Sequence, residues 1–331
     1  MSAVEMVELW RGDIRESVHR GHAVVCDETG AVVHAWGEPQ KVVLPRSSAK
    51  VVQALPLLES GAADAARLTP EQLALACASH SGAQIHISRV ERWLSDLGLG
   101  EDDLRCGPQE PSDPEEHERL LCTDGVPCQL HNNCSGKHAG FLTLSQHLGA
   151  GPDYVDLDHP VQQAVRASWE EVTGETSPGF GIDGCSAPNF AATLAGVGRA
   201  MARFAAAREG MGRRQAGQER LVRAMMAHPA LVAGEGRACT ELMRVMDGAG
   251  VVKTGAEGFY VAILPERRLG VALKIEDGTT RASECAIAAI LVSLGVLDRA
   301  HPYVRRYLDP HLLNRRGMDT GQMRPVPGVF D

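Results

Sequence analysis

Gly258-Phe259-Tyr260-Val261-Ala262-Ile263-Leu264, the polar tetrapeptide Pro265-Glu266-Arg267-Arg268, then Leu269-Gly270-Val271-Ala272-Leu273-Lys274-Ile275 read as two buried strands joined by a hairpin loop. The N-terminus offers a matching pair. Ala23-Val24-Val25-Cys26 and Ala31-Val32-Val33-His34-Ala35-Trp36 flank Asp27-Glu28-Thr29-Gly30. A helix is expected over 281–294. Between the two hairpins the pattern is helical, with apolar periodicity over 85–97, 133–148, 160–172, 189–208, 218–227 and 238–246. Strands, helices, strands, helix is the order. It predicts an α/β (α+β) fold in which hairpins from the two ends share one antiparallel sheet under the last helix. The expected organisation is a single domain over 1–331, with 1–45 and 250–331 as the sheet layer and 46–249 as a mostly helical lobe. A cleft between such lobes is a usual place for a site.

Local signals sharpen the helical part. Thr69-Pro70-Glu71-Gln72 has the order of a capping box, with proline at the first helical position. Apolar residues at 51, 54, 55 and 58 follow Pro45 at helical spacing, and Pro56 among them predicts a kink or an early end.

The composition of the 331 residues, 44% hydrophobic and 23% charged, is that of a globular protein. A net charge of −9 speaks against nucleic acid as a partner, because the densest basic stretch, 199–223, is interrupted by Glu209 and Glu219. No run of 18 apolar residues offers a membrane span, and acidic and basic residues fill the first 25 positions where a signal peptide would be apolar. Nine cysteines, an odd number, suit a reducing compartment, so the chain is expected in the cytoplasm.

Four stretches carry potential chemistry. Ser47-x-x-Lys50 sets a hydroxyl and an amine on one helical face, where an uncharged lysine can take the serine's proton and a helix N-terminus favours an oxyanion. Lys253-Thr254-Gly255 stands immediately before a predicted strand, the place a Lys-Thr-Gly occupies in serine acyl-transfer enzymes of the β-lactamase and penicillin-binding type. Their third motif, Ser-Asp-Asn, is absent, which argues against a true β-lactamase. Ser79, in Ala78-Ser79-His80-Ser81-Gly82, leaves an apolar helix for a glycine turn that can expose a hydroxyl. Fourth is His131-Asn132-Asn133-Cys134-Ser135-Gly136-Lys137-His138. With Asn133 as N-cap, Cys134, Lys137 and His138 share a helical face, and Asp183-Gly184-Cys185 supplies a distant second thiol. Two thiolates and a nitrogen suit zinc, with His138 the default third donor because a lysine must be neutral to bind. Each fragment recurs by chance in chains of this size, and a structural role is the commoner one for either cysteine.

Taken in order, Arg46-Ser47-Ser48-Ala49-Lys50, Cys77-Ala78-Ser79-His80-Ser81-Gly82, the segment 131–138, Asp183-Gly184-Cys185 and Lys253-Thr254-Gly255-Ala256-Glu257-Gly258 resemble the rhizobial-type (class 3) L-asparaginases of the asparaginase II family. The match runs along nearly the whole chain. It implies a fold related to serine β-lactamases and glutaminases, a homodimer, and hydrolysis of L-asparagine. It also implies two Ser–Lys pairs, Ser47 with Lys50 and Ser79 with Lys253, and zinc held by Cys134, Lys137 and Cys185, so that Lys137 displaces His138 as ligand. Arg46 is implied beside the nucleophile, His138 and Asp183 near the substrate, and Cys239 close by as a reactive thiol. The preference for asparagine over glutamine rests on this resemblance. A zinc-dependent amidohydrolase in which the serines only position substrate, and a metal-stabilised binding protein without catalysis, stand as the alternatives.

Overall fold

The computed structural model describes residues 2–331 as two compact units. The first comprises the N-terminal stretch to Ser48, Thr193–Ala206 and Glu241–Asp331; the second comprises Ala49–Ala192 and Ala207–Thr240.

An eight-stranded antiparallel sheet organises the first unit. Across it run His311–Leu313, Asp319–Pro325, Val4–Arg11, Ile14–Cys26, Leu269–Ile275, Phe259–Leu264 and Val251–Thr254, with Val32–Trp36 also paired to Ile14–Cys26. The N- and C-terminal hairpins meet as expected, Cys26 opposite Gly270, Val25 opposite Val271 and Val24 opposite Ala272. Every residue of Phe259–Leu264 is buried, so both its faces are covered, which is why the run is apolar without alternation. The expected last helix forms as Thr280–Ser293 and packs on this sheet, as does Leu194–Ala206, a helix from the middle of the chain. The approach of that second helix is set by glycines on both sides. A Cβ at Gly270 would lie 2.1 Å from the Ala202 nitrogen and 2.4 Å from the Gly198 oxygen, and one at Gly198 would press on Val24 and Cys26.

Helices make up most of the second unit. The Thr69 capping box is formed, Thr69 Oγ1 accepting from the Gln72 amide while Gln72 Oε1 accepts from the Thr69 amide. The effect of Pro56 is as expected. Helix Lys50–Gln53 stops at Ala54 and a separate helix, Leu55–Glu59, begins with the proline in its first turn. Gly136 and Gly140 bring helix Ser135–His147 against Pro70–Ala76, since a Cβ at Gly136 would lie 2.4 Å from the Leu75 oxygen.

Lys253-Thr254-Gly255 precedes the expected strand, Phe259–Leu264, and its first two residues also end an unforeseen one, Val251–Thr254, the chain turning between them at positive-φ Glu257 and Gly258. Two local expectations need correction. The helix expected over 189–208 starts later, at Leu194, because Pro188–Phe190 pairs as a strand with Phe180–Ile182. Asn133 is not the N-cap. Helix Ser135–His147 begins after Cys134, and it is Asn132 whose side chain receives the Cys134 amide, at 2.9 Å. No helix of the described residues is long and apolar enough to cross a membrane.

Overpacking at the strand–helix approach is the expected weak point of the first unit. Gly270→Val should destabilise the protein by about 3 kcal/mol or prevent folding, read as a lower denaturant midpoint, because the clash is with backbone that no rotamer can relieve.

Candidate active site

Lys50 and Lys253 are both buried, at 0% and 1% exposure, although nothing in their spacing announces it. A buried ammonium is tolerated only where acceptors replace its water. In the second unit Lys50 finds three. Its Nζ donates to the Ala78 carbonyl at 2.5 Å, the Asn133 carbonyl at 3.4 Å and Ser79 Oγ at 2.9 Å. The count matters chemically. An ammonium has a proton for each acceptor. A neutral amine can keep its two N–H groups on the carbonyls and present its lone pair to a hydroxyl, which is the posture of a base.

These acceptors are held by the turn after Ala76. Ser79 donates its amide to the Val232 oxygen, and the His80 amide donates to the Asn133 oxygen. The His80 ring accepts the Gly82 amide at Nδ1, which leaves Nε2–H to donate to Ser135 Oγ at 2.9 Å; Ser135 passes its own proton to the Leu130 oxygen. Burial holds His80 well below the ordinary histidine pKa, so it stays neutral in this bonding pattern. It fastens the Ser79 turn to the 130–135 segment twice, once by backbone and once by ring.

Cys134, at the mouth of helix Ser135–His147, and Cys185, on the tight turn of the Phe180–Ile182/Pro188–Phe190 hairpin, are buried in the same unit. Hydrogen bonding between the two sulfurs raises the pKa of Cys134 and lowers that of Cys185. Lys137 Nζ donates to Cys185 Sγ at 3.0 Å. Burial opposes its charge, but the Cys185 and Cys134 sulfurs and Asp183 outweigh that and raise its pKa. Burial takes His138 down to about 4 against the pull of Cys185, and its Nδ1 meets Tyr154 Oη at 2.9 Å. Asp183, half-buried, opens the Cys185 turn and receives the Gly184 amide at 2.8 Å. Cys239 is buried in the first turn of helix Ala238–Met246.

This sulfur–lysine cluster fits a metal by its donors. The Cys185 sulfur already meets both the Lys137 amine and the Cys134 sulfur, and tetrahedral zinc at its usual bond lengths would set nitrogen and sulfur about 3.5 Å apart, a small opening from 3.0 Å. Lys137 and both thiols must lose their protons for it. Among the described residues no group of three or more His, Cys, Asp and Glu side chains is arranged to hold a metal.

Arg46, Ser47 and Lys253 belong to the first unit. Arg46–Ala49 is a 3-10 turn in which Arg46 holds φ +52°, a left-handed conformation costing about 1–2 kcal/mol, and Ser47 is half-buried. Ser48 Oγ donates to the Lys253 carbonyl at 2.9 Å, joining stretches 205 residues apart. Only a glycine fits at 255, where a Cβ would lie 2.4 Å from the Pro45 oxygen. Lys253 Nζ donates to the Thr254 oxygen at 2.9 Å.

The second unit therefore gathers Lys50, Ser79, Cys134, Lys137, His138, Asp183 and Cys185, and the first ties the Ser47 turn to the Lys253 strand. The resemblance set Ser79 beside Lys253; inside its own unit Ser79 touches Lys50. Sequence reading overlooked Ser48, His80 and Tyr154, and the carbonyls of Ala78 and Asn133, which no side-chain motif can reveal.

The second unit thus holds serine, lysine and thiol side chains buried together. A family model described as L-asparaginase II matches residues 7–325, and the chain belongs to that family of asparaginase-type amidohydrolases, which act on small molecules. No curated protein matches. Among solved structures, a putative beta-lactamase from Bacteroides dorei is 14% identical, with 77% of this chain and 84% of that one covered and a TM-score of 0.43. Mglu in its native form is 15% identical at a TM-score of 0.47, over 85% of this chain and 66% of that one. A beta-lactamase from Mycobacterium bovis is 13% identical at 0.44, over 82% and 94%. Likeness at this level carries nothing about chemistry.

The His80 latch gives a direct test. His80→Leu strands the Gly82 amide and removes the donor to Ser135, and should cost about 1–3 kcal/mol in denaturation and lower amide turnover at least about tenfold. His80→Gln, which keeps a donor toward Ser135, should recover most of the turnover. Equal turnover in the two variants would show that the ring only fills space.

Proposed function

We propose that the protein hydrolyses L-asparagine to L-aspartate and ammonia by a Ser–Lys mechanism. The observation that carries this reading is the shell around Lys50: an amine out of water, two carbonyls for its N–H groups and a serine hydroxyl at 2.9 Å. Family membership supports the amide substrate.

Ser47 is the nucleophile. It lies three residues before Lys50, on a 3-10 turn that runs directly into the helix opened by that lysine. Ser47 gives its proton to neutral Lys50 as its oxygen attacks the side-chain amide carbon. The proton goes on to the leaving nitrogen, and ammonia departs from an acyl-enzyme. Water, deprotonated in turn by Lys50, releases aspartate and restores the serine. Ser79 donates to the lone pair of neutral Lys50 and accepts from it once Lys50 is charged, which extends the proton path. Lys253, whose strand is tied to the Ser47 turn through Ser48, supplies positive charge beside it. Arg46 lies next to the nucleophile in the chain, and His138 and Asp183 recognise the polar ends of the substrate.

Cys134, Lys137 and Cys185 would hold zinc, which supplies a fixed positive charge for anchoring or polarising the substrate. The cluster also favours a second reading, a zinc-dependent amidohydrolase in which Ser47 only positions substrate.

Ser47→Ala should lower ammonia release from asparagine by about three or more powers of ten, by analogy with other serine nucleophiles. Activity retained in that variant would refute the assignment. Cys134→Ser and Cys185→Ser, or removal of metal with a chelator, should raise KM for asparagine more than they lower kcat. Complete loss of turnover on chelation, with the serine variant still active, would shift the assignment to the zinc-dependent reading.

A further inference from the structure

Away from the Lys50 shell, the second unit holds another thiol with a base beside it. Cys128 is half-buried, just past the exposed stretch 121–126. Its Sγ lies 3.1 Å from His131 Nδ1, and His131 Nε2 lies 3.1 Å from Glu116 Oε1. The carboxylate is firmly anchored: Arg119 Nε reaches Oε2 at 2.9 Å, Arg119 Nη2 reaches Oε1 at 2.6 Å, and Gln84 donates to Oε2 at 2.7 Å. Arg119 first, against the cost of burial, takes Glu116 down to about 2, so it is ionised at neutral pH.

That charge decides which imidazole nitrogen carries the proton. An ionised carboxylate accepts, so Nε2 is the N–H, and the Nδ1 lone pair faces the other way. The backbone agrees, because the Cys128 amide donates to Nδ1 at 3.0 Å, so amide and thiol share that one lone pair. Cys128 thus presents its S–H beside a basic nitrogen whose tautomer is fixed by a buried acid, the nucleophile–base–orienter relation of covalent catalysts. Burial holds the thiol above the ordinary cysteine range, with Glu101 adding to it. The sulfur is therefore activated as His131 removes its proton at the moment of attack.

We infer that Cys128 is a modification site for small hydroperoxides, with His131 as its base and Glu116 as the group that orients the base. In the reaction the sulfur attacks the distal peroxide oxygen. An S–O bond forms, the O–O bond breaks, and the sulfur gives up two electrons to the peroxide. The thiol proton passes through His131 to the departing hydroxide or alkoxide, leaving a sulfenic acid and water or an alcohol. The inference is independent of the asparaginase reading, since none of these residues is used there.

Cys122 provides an internal reference. It is the exposed last residue of helix Pro114–Cys122, and no histidine is hydrogen-bonded to it among the described residues. On accessibility alone it should react first. Trypsin cleavage after Arg119 and Lys137 places both thiols in one peptide, so fragment ions compare them directly. The full-length protein is treated with hydrogen peroxide at pH 7 in the presence of a sulfenic-acid trap, and adducts are followed with time. Cys128 should outrun Cys122, by about tenfold, the low side of general-base effects. The lead should vanish in His131→Asn, which keeps an acceptor for the Cys128 amide but no base. Glu116→Gln should shrink it, and it covers the case in which the first variant fails to fold. A Cys122 that reacts as fast as Cys128 in the wild-type protein overturns the inference, and so does a lead that survives the loss of His131.

Discussion

The constraint on which this structure turns is the burial of a lysine amine. At Lys50 water is excluded completely, so its solvation must come from the protein, and two separate pieces of chain are bent to provide it, one with the Ala78 carbonyl and the Ser79 hydroxyl, the other with the Asn133 carbonyl. Each piece is itself fastened. Val232 receives the Ser79 amide, the Asn133 oxygen is shared between Lys50 and the His80 amide, and the His80 ring is bonded to Ser135. Removing any of them leaves a polar group stranded in a region without water, which is why so many small polar residues cluster here without forming a surface.

A second lysine is handled differently. Lys253 belongs to a strand, and the sheet fixes its backbone from Tyr260 and Val261. What ties it to the serine turn is the neighbouring hydroxyl, Ser48, together with the absence of a side chain at Gly255. The Lys-Thr-Gly tripeptide therefore owes its glycine to a close backbone approach. The strained Arg46 in the facing turn belongs to the same adjustment, because a left-handed residue there redirects the chain between Pro45 and Ser47.

The sulfur cluster shows how a low-polarity interior reassigns protons. Two thiols in contact pull each other's pKa values apart, and the hydrogen bond from Cys134, with the Lys137 amine within reach, lowers that of Cys185. Farther along the same segment the Glu116–His131–Cys128 chain obeys a related rule, an anchored carboxylate setting the tautomer of an imidazole and the imidazole facing a thiol. In both places residues of unremarkable type acquire distinct roles through the order in which they touch.

How far the sequence reaches is set by the range of the interactions involved. The hairpins at 23–36 and 259–275, the Thr69 capping box, the break before Pro56 and the helix now seen at Thr280–Ser293 are decided within a few residues, by apolar runs, turn chemistry and a missing N–H. The motifs holding Ser47, Lys50, Ser79, Cys134, Lys137, Cys185 and Lys253 were legible as motifs for the same reason. The late start of helix Leu194–Ala206 was not, because a strand pairing with Phe180–Ile182 overrode the local apolar pattern at Asn189. Nor was the partner of any buried charge. Tertiary structure alone decided that Lys50 would meet Ser79 and two carbonyls, that Ser48 would reach across 205 residues to Lys253, and that His131 would stand between a thiol and a carboxylate. Spacing along a chain carries no information about which distant group replaces the water that burial takes away.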